Sequence, residues 1–195
     1  MKKVKLTTTI MVVAFVGLTT MSCKDSKKEK ATDTHSEMGH DEMSASHTMK
    51  DSDAQNSASK QVLADYMLLK DALVATDEGA SAKAGEKLEA TLKDFNVDNY
   101  TSEEQNELNE IIEAATEHAA HIMKSDIAHQ REHFQMLTKD ITDMVAIIGT
   151  DNTLYQQFCP MYADGGAWLS MEKEIKNPYF GSKMMNCGKV QKEIN

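Results

Sequence analysis

The chain has 195 residues, with 21 Lys and Arg against 31 Asp and Glu, a formal charge of −10. Aromatic residues make up 6% of it and prolines number two. No basic stripe is available to follow a phosphate backbone, which disfavours nucleic-acid binding.

Residues 1–22 read as an export signal. Lys2, Lys3 and Lys5 form a basic start, and the apolar run from Ile10 to Leu18 is too short to span a bilayer. Small and polar residues lead to Cys23, an arrangement that resembles a bacterial lipobox whose cysteine is lipidated after cleavage. Several acyl chains on Cys23 would anchor the protein, since each buried methylene adds about 0.8 kcal/mol. Lys24 follows Cys23, and by the sorting habit of bacterial lipoproteins this favours the outer over the inner membrane. Loss of the signal removes three lysines and no acids, taking the formal charge from −10 to −13.

Residues 23–58 are rich in Lys, Asp, Ser, Thr, His and Met and read as a disordered tether. Within it His35, Met38, His40, Met43, His47 and Met49 alternate imidazole and thioether. Imidazole suits Cu(II), Zn and Ni, while thioether sulfur selects soft ions such as Cu(I). Nothing in the tether would pack a core that calls for methionine. The tract is therefore a candidate collector of copper, with Cu(I) favoured and silver or zinc as further candidates. The plain alternative is a polar spacer with incidental His and Met.

Residues 59–150 carry helical periodicity. Val62, Tyr66, Leu69 and Leu73 form one apolar stripe, and Ala84, Leu88, Leu92 and Phe95 form a second. Thr101 or Ser102, followed by Glu104 or Gln105, predicts an N-cap with a capping box. The third stripe is Leu108, Ile111, Ile112, Ala115, Ala119 and Ile122. Ser125 or Asp126 predicts the cap of a fourth helix with Ile127, Phe134, Leu137, Ile141, Met144 and Ile148 inward. The fold class expected is all-α, an antiparallel bundle of about four helices. An irregular cysteine-containing cap over residues 151–195, with short strands or a helical turn near Trp168, is expected to pack on the bundle.

His129 and His133 stand one turn apart on the face opposite the fourth apolar stripe. Two histidines at this spacing can hold one metal ion, and a third from a neighbouring helix would complete a site. His121 lies far from the apolar face of its helix and His118 borders that face. In the cap, Cys159 and Cys187 with Met161 and Met184 form a candidate soft-metal set. An oxidising compartment would equally close Cys159 and Cys187 into a disulfide, worth about 3.6 kcal/mol on the chain-entropy estimate.

Cys159-Pro160-Met161, Trp168-Leu169-Ser170, the run from Glu174 to Gly181, and Met184 to Gly188 resemble a bacterial domain of unknown function, as does the segment Asp126 to Phe134. That domain occurs in exported lipoproteins and, in related form, at the C-terminal end of copper/silver efflux adaptor (membrane-fusion) proteins. The resemblance covers roughly residues 60–190. It implies a helical bundle with a cysteine-containing cap and an association with heavy-metal handling, and it brings no catalytic residues.

The expected function is that of a non-enzymatic, lipid-anchored envelope protein that binds copper for homeostasis or resistance. It would pass ions to its own cap or to a metal-efflux complex. The alternative is a structural or adaptor lipoprotein with a permanent Cys159–Cys187 disulfide and no metal role. His129 to His133 also matches the His-x-x-Glu-His pattern of inverted zinc peptidases. The chain is too small for the substrate chamber those enzymes build, and Glu172 and Glu174 fall in the cap instead of on a following helix.

Overall fold

The computed structural model describes residues 48–195. The expected export signal, Cys23 and the tract residues His35, Met38, His40, Met43 and His47 lie outside the described residues, as does the side chain of Met49. Four helices come first: α1 (Thr48–Ala75), α2 (Glu78–Lys93), α3 (Ser102–Lys124) and α4 (Ile127–Ile148). α1 starts at Thr48, ahead of the expected start near residue 59.

The expected stripes are buried along most of their length, with Ile127 and Ile148 of α4 only at the core's edge. Val62, Tyr66, Leu69 and Leu73 of α1 are fully enclosed, as are Leu88 and Leu92 of α2 and Phe134, Leu137, Ile141 and Met144 of α4. In α3, Leu108, Ala115, Ala119 and Ile122 are buried, while Ile111 and Ile112 reach only the core's edge. Asp77 caps α2 by accepting from the Ala80 N–H at 2.8 Å. Thr101 and Glu104 form the capping box of α3. Asp126 caps α4 by accepting from the N–H groups of Ala128 and His129, both at 3.0 Å. Each cap satisfies backbone donors that the first helical turn leaves open.

Each helix packs mainly on its neighbour in sequence, and tight links at residues 76–77 and 125–126 turn the chain back on itself. Gly85 lets α2 and α3 approach closely: a Cβ there would lie 3.1 Å from Ile122 Cγ2 and 3.2 Å from the Ala119 carbonyl.

The C-terminal region corrects the all-α expectation. β1 (Leu154–Cys159), β2 (Gly166–Ser170) and β3 (Lys189–Ile194) form an antiparallel sheet in the order β2-β1-β3, so the fold is mostly helical with a small sheet. Tyr155 pairs with Ser170 and Cys159 with Gly166, which closes a hairpin around Pro160 and Gly165. Only β1 and β2 carry buried side chains; β3 is exposed along nearly its whole length. A strand with only Val190 and Ile194 to offer the core is held mainly by its ladder to β1, and hydrophobic periodicity does not reveal it.

The sheet docks through Tyr66, whose hydroxyl accepts from the Leu169 N–H at 3.1 Å and shares a hydrogen bond with Thr138 Oγ1 at 2.8 Å. Burial holds that phenol protonated well above its ordinary range. Arg131 of α4 adds a second tie, donating to the carbonyls of Pro178 (2.9 Å) and Leu73 (3.2 Å) and to Thr76 Oγ1 (3.0 Å). Gly181, at φ +56°, passes so close to Thr76 and the Val74 carbonyl that no side chain fits there.

Candidate metal centre

The hairpin of α3 and α4 gathers four histidines. His118 and His121 sit in the last two turns of α3, and His129 and His133 in the first two of α4. The link between them is held on both sides. Ser125 Oγ donates to the His121 carbonyl at 2.7 Å, and buried Gln130 donates to the carbonyls of Ile122 and Glu78, both at 3.1 Å. These bonds, with the Asp126 cap, set the two histidine pairs opposite each other.

His121, His129 and His133 each bring a ring nitrogen within 4.8 Å of the other two. His133 Nε2 and His129 Nε2 are 3.1 Å apart. Metal–nitrogen bonds of about 2.1 Å place tetrahedral ligand nitrogens about 3.4 Å apart, so this pair already has ligand spacing. The His121 ring stacks on that of His133 with centroids 4.3 Å apart, which keeps its nitrogen beside the pair as the third donor. His121 and His129 are about half exposed, which leaves an entry path from solvent.

Around these rings lies an outer layer of polar groups. Glu132 Oε2 is 2.8 Å from His129 Nδ1, His118 Nδ1 is 3.2 Å from His133 Nδ1, and Asp140 Oδ2 is 3.7 Å from His118 Nε2. Ligating histidines commonly have their second nitrogen held in this way. Glu132, the glutamate of the His-x-x-Glu-His pattern, thus orients His129.

Burial, and then the neighbouring rings of His121, His129 and His118, push the His133 imidazole below its ordinary 6.5. A neutral ring is the form that binds metal. The same shift gives stability a pH dependence. Below 6.5 the unfolded chain takes up a proton that folded His133 resists, so the unfolded state binds more protons there. Stability of the metal-free protein is therefore expected to decline as pH falls from about 7.5 to about 6, and His133→Asn is expected to flatten that decline. Urea midpoints across the interval check it.

The second candidate set is only partly assembled. Cys159 is buried at the end of β1, Cys187 is half-buried, and their sulfurs lie 2.8 Å apart as free thiols. The contact with Cys159 pushes the Cys187 thiol up, which disfavours the thiolate. Among the described residues no histidine, acid or further cysteine joins the pair as a third ligand. Met161 and Met184 are both exposed.

His129 and His133 are thus joined by two residues of α3 and by Asp140, whose convergence sequence spacing alone does not reveal. The signal that could have found them is the short link: two histidines near the end of one helix and two near the start of the next must face each other across it.

No curated protein and no solved structure matches the chain. Residues 62–153 match the family described as Protein of unknown function (DUF3347). The match takes in both arms of the histidine hairpin and ends before Cys159, so the similarity lies in the helical region that carries the candidate centre.

Proposed function

We propose that this protein is a lipid-anchored envelope protein that binds a transition metal, copper foremost, for homeostasis or resistance. Its tether collects the ion and the α3–α4 hairpin holds it. The observation that carries the reading is the convergence of His121, His129 and His133, drawn from two helices, within 4.8 Å. Imidazole donors suit Cu(II), Zn and Ni, whereas the alternating His and Met of residues 35–49 suit Cu(I). The two sets of ligands would favour different ions, the tract Cu(I) and the hairpin Cu(II), Zn or Ni, and an ion passed between them keeps its oxidation state. Export and lipidation rest on the basic start, the apolar run and Cys23.

Anaerobic competition titration against a chromophoric chelator tests the collector. The full chain is expected to bind several equivalents of Cu(I), and deletion of residues 34–50 is expected to remove most of them. Unchanged stoichiometry after the deletion would rule out the collector role.

A second reading is favoured by the 2.8 Å approach of the Cys159 and Cys187 sulfurs. Oxidation would close the pair into a disulfide that staples β1 to the segment leading into β3, as in an adaptor lipoprotein. Under it the titration finds no tight copper in either form of the protein.

A further inference from the structure

The distances around the hairpin fit one arrangement of protons. Glu132, as a carboxylate, can only accept, so the 2.8 Å contact puts a proton on His129 Nδ1 and leaves its Nε2 bare. The 3.1 Å contact between the Nε2 atoms of His129 and His133 then needs its proton from His133 Nε2. A neutral His133 has in consequence a bare Nδ1, and the 3.2 Å contact to His118 needs its proton from His118 Nδ1. His118 Nε2 is then bare and faces Asp140 Oδ2 at 3.7 Å, too long for a hydrogen bond. This accounts for a feature otherwise unexplained: Asp140 Oδ2 is buried with no hydrogen-bond partner.

Metal binding at this site requires the opposite arrangement. For His133 to ligate through Nε2, that atom must give up its proton to solvent, and Nδ1 must carry one. The proton of His118 Nδ1 crosses the 3.2 Å gap to His133 Nδ1. His118 takes a proton from solvent on Nε2, and closing the 3.7 Å gap to hydrogen-bond distance lets the Asp140 carboxylate accept from it. Each ring keeps one proton throughout, and only the tautomers change. Asp140 Oδ2 gains the donor it lacks.

We infer that His118 and Asp140 are positioning residues of the hairpin site, forming a relay that switches His133 into its ligating tautomer when metal binds. The inference rests on the proposed metal site and adds to it two residues that touch no metal. Outer-layer partners of this kind typically contribute 10–100-fold to metal affinity.

The test uses full-length protein with nitrogen-15-labelled histidine and Zn(II) as a diamagnetic probe. On Zn(II) addition, His129 and His133 are expected to show metal-bound Nε2 resonances. The proton of His118 is expected to move from Nδ1 to Nε2, a signature that a merely structural role would not produce. His118→Phe and Asp140→Leu are each expected to weaken Zn(II) binding 10–100-fold at unchanged stoichiometry. His118→Gln, whose side-chain oxygen can accept from His133 Nδ1, is expected to recover most of the loss. If Zn(II) binds at His129 and His133 while His118 keeps its proton on Nδ1, the relay is overturned and the site stands. If Zn(II) leaves the resonances of His129 and His133 unmoved, site and relay fall together. The wild-type spectra decide between these outcomes even where a variant does not fold.

Discussion

Replacing His129 and His133 together with alanine is expected to lower the affinity of the hairpin for Cu(II) or Zn(II) at least a hundredfold, about 2.7 kcal/mol. The change removes two of the three converging donors, leaving only His121 of that set. The helices should remain intact, because neither ring belongs to the buried stripe of Phe134, Leu137, Ile141 and Met144. Metal at a hundred times its dissociation constant stabilises the native protein by about 2.7 kcal/mol. In a chain of this size that raises Tm by roughly 5–10 °C. Thermal scans with and without metal separate the cases: wild type should shift, and the double variant should not while keeping its metal-free Tm. A variant that shifts as far as wild type would remove the hairpin from the metal-binding reading.

Trp168→Ala is expected to be the most damaging single truncation in the cap, costing about 3–5 kcal/mol. Trp168 is fully buried on β2, the strand that leans on α4 and α1. Its ring meets Tyr179 edge-on with centroids 6.1 Å apart, and Tyr179 in turn lies 5.8 Å from Phe134 of α4. Gly188 passes over its outer edge, where a Cβ would come within 2.8 Å of Trp168 Cη2. The truncation would thus open a cavity between β2 and the segment carrying Tyr179 and Gly188, which the packed Gly188 backbone and the Tyr179 ring cannot fill. At 2–4 °C per kcal/mol the loss corresponds to roughly 6–20 °C in Tm. Trp168→Phe should cost less, since it keeps an aromatic against Tyr179 and removes an indole N–H that has no partner. Urea midpoints for the two variants and wild type give the comparison; equal losses for Phe and Ala would show that aromatic packing on Tyr179 is not what holds the cap.

The helices were legible because their determinants are local. The four apolar stripes follow the 3.6-residue period, and the Asp126 and Thr101–Glu104 caps are read within a few residues of chain. The turn glycines and Pro160 marked where the bundle ends. The sheet was not legible as a sheet. β1 and β2 are short, and β3, Lys189–Ile194, has only Val190 and Ile194 as apolar residues and is exposed along nearly its whole length, so its main determinant is pairing with β1 across about 30 residues of chain.

The site divides along the same line. Sequence alone determined that this chain forms helices, where α3 and α4 begin, and that His129 and His133 share a face, because spacing along one helix fixes which side chains are neighbours. Only the tertiary structure decided that His118 and His121 meet them, that Asp140 stands behind His118, and that the Cys159 and Cys187 sulfurs come within 2.8 Å. The distances around the histidines depend on how closely α2, α3 and α4 approach and on how the tight link at residues 125–126 is held. The approach is set by the missing Cβ of Gly85 and the link by the buried Gln130 amide, contacts between residues that no local pattern connects.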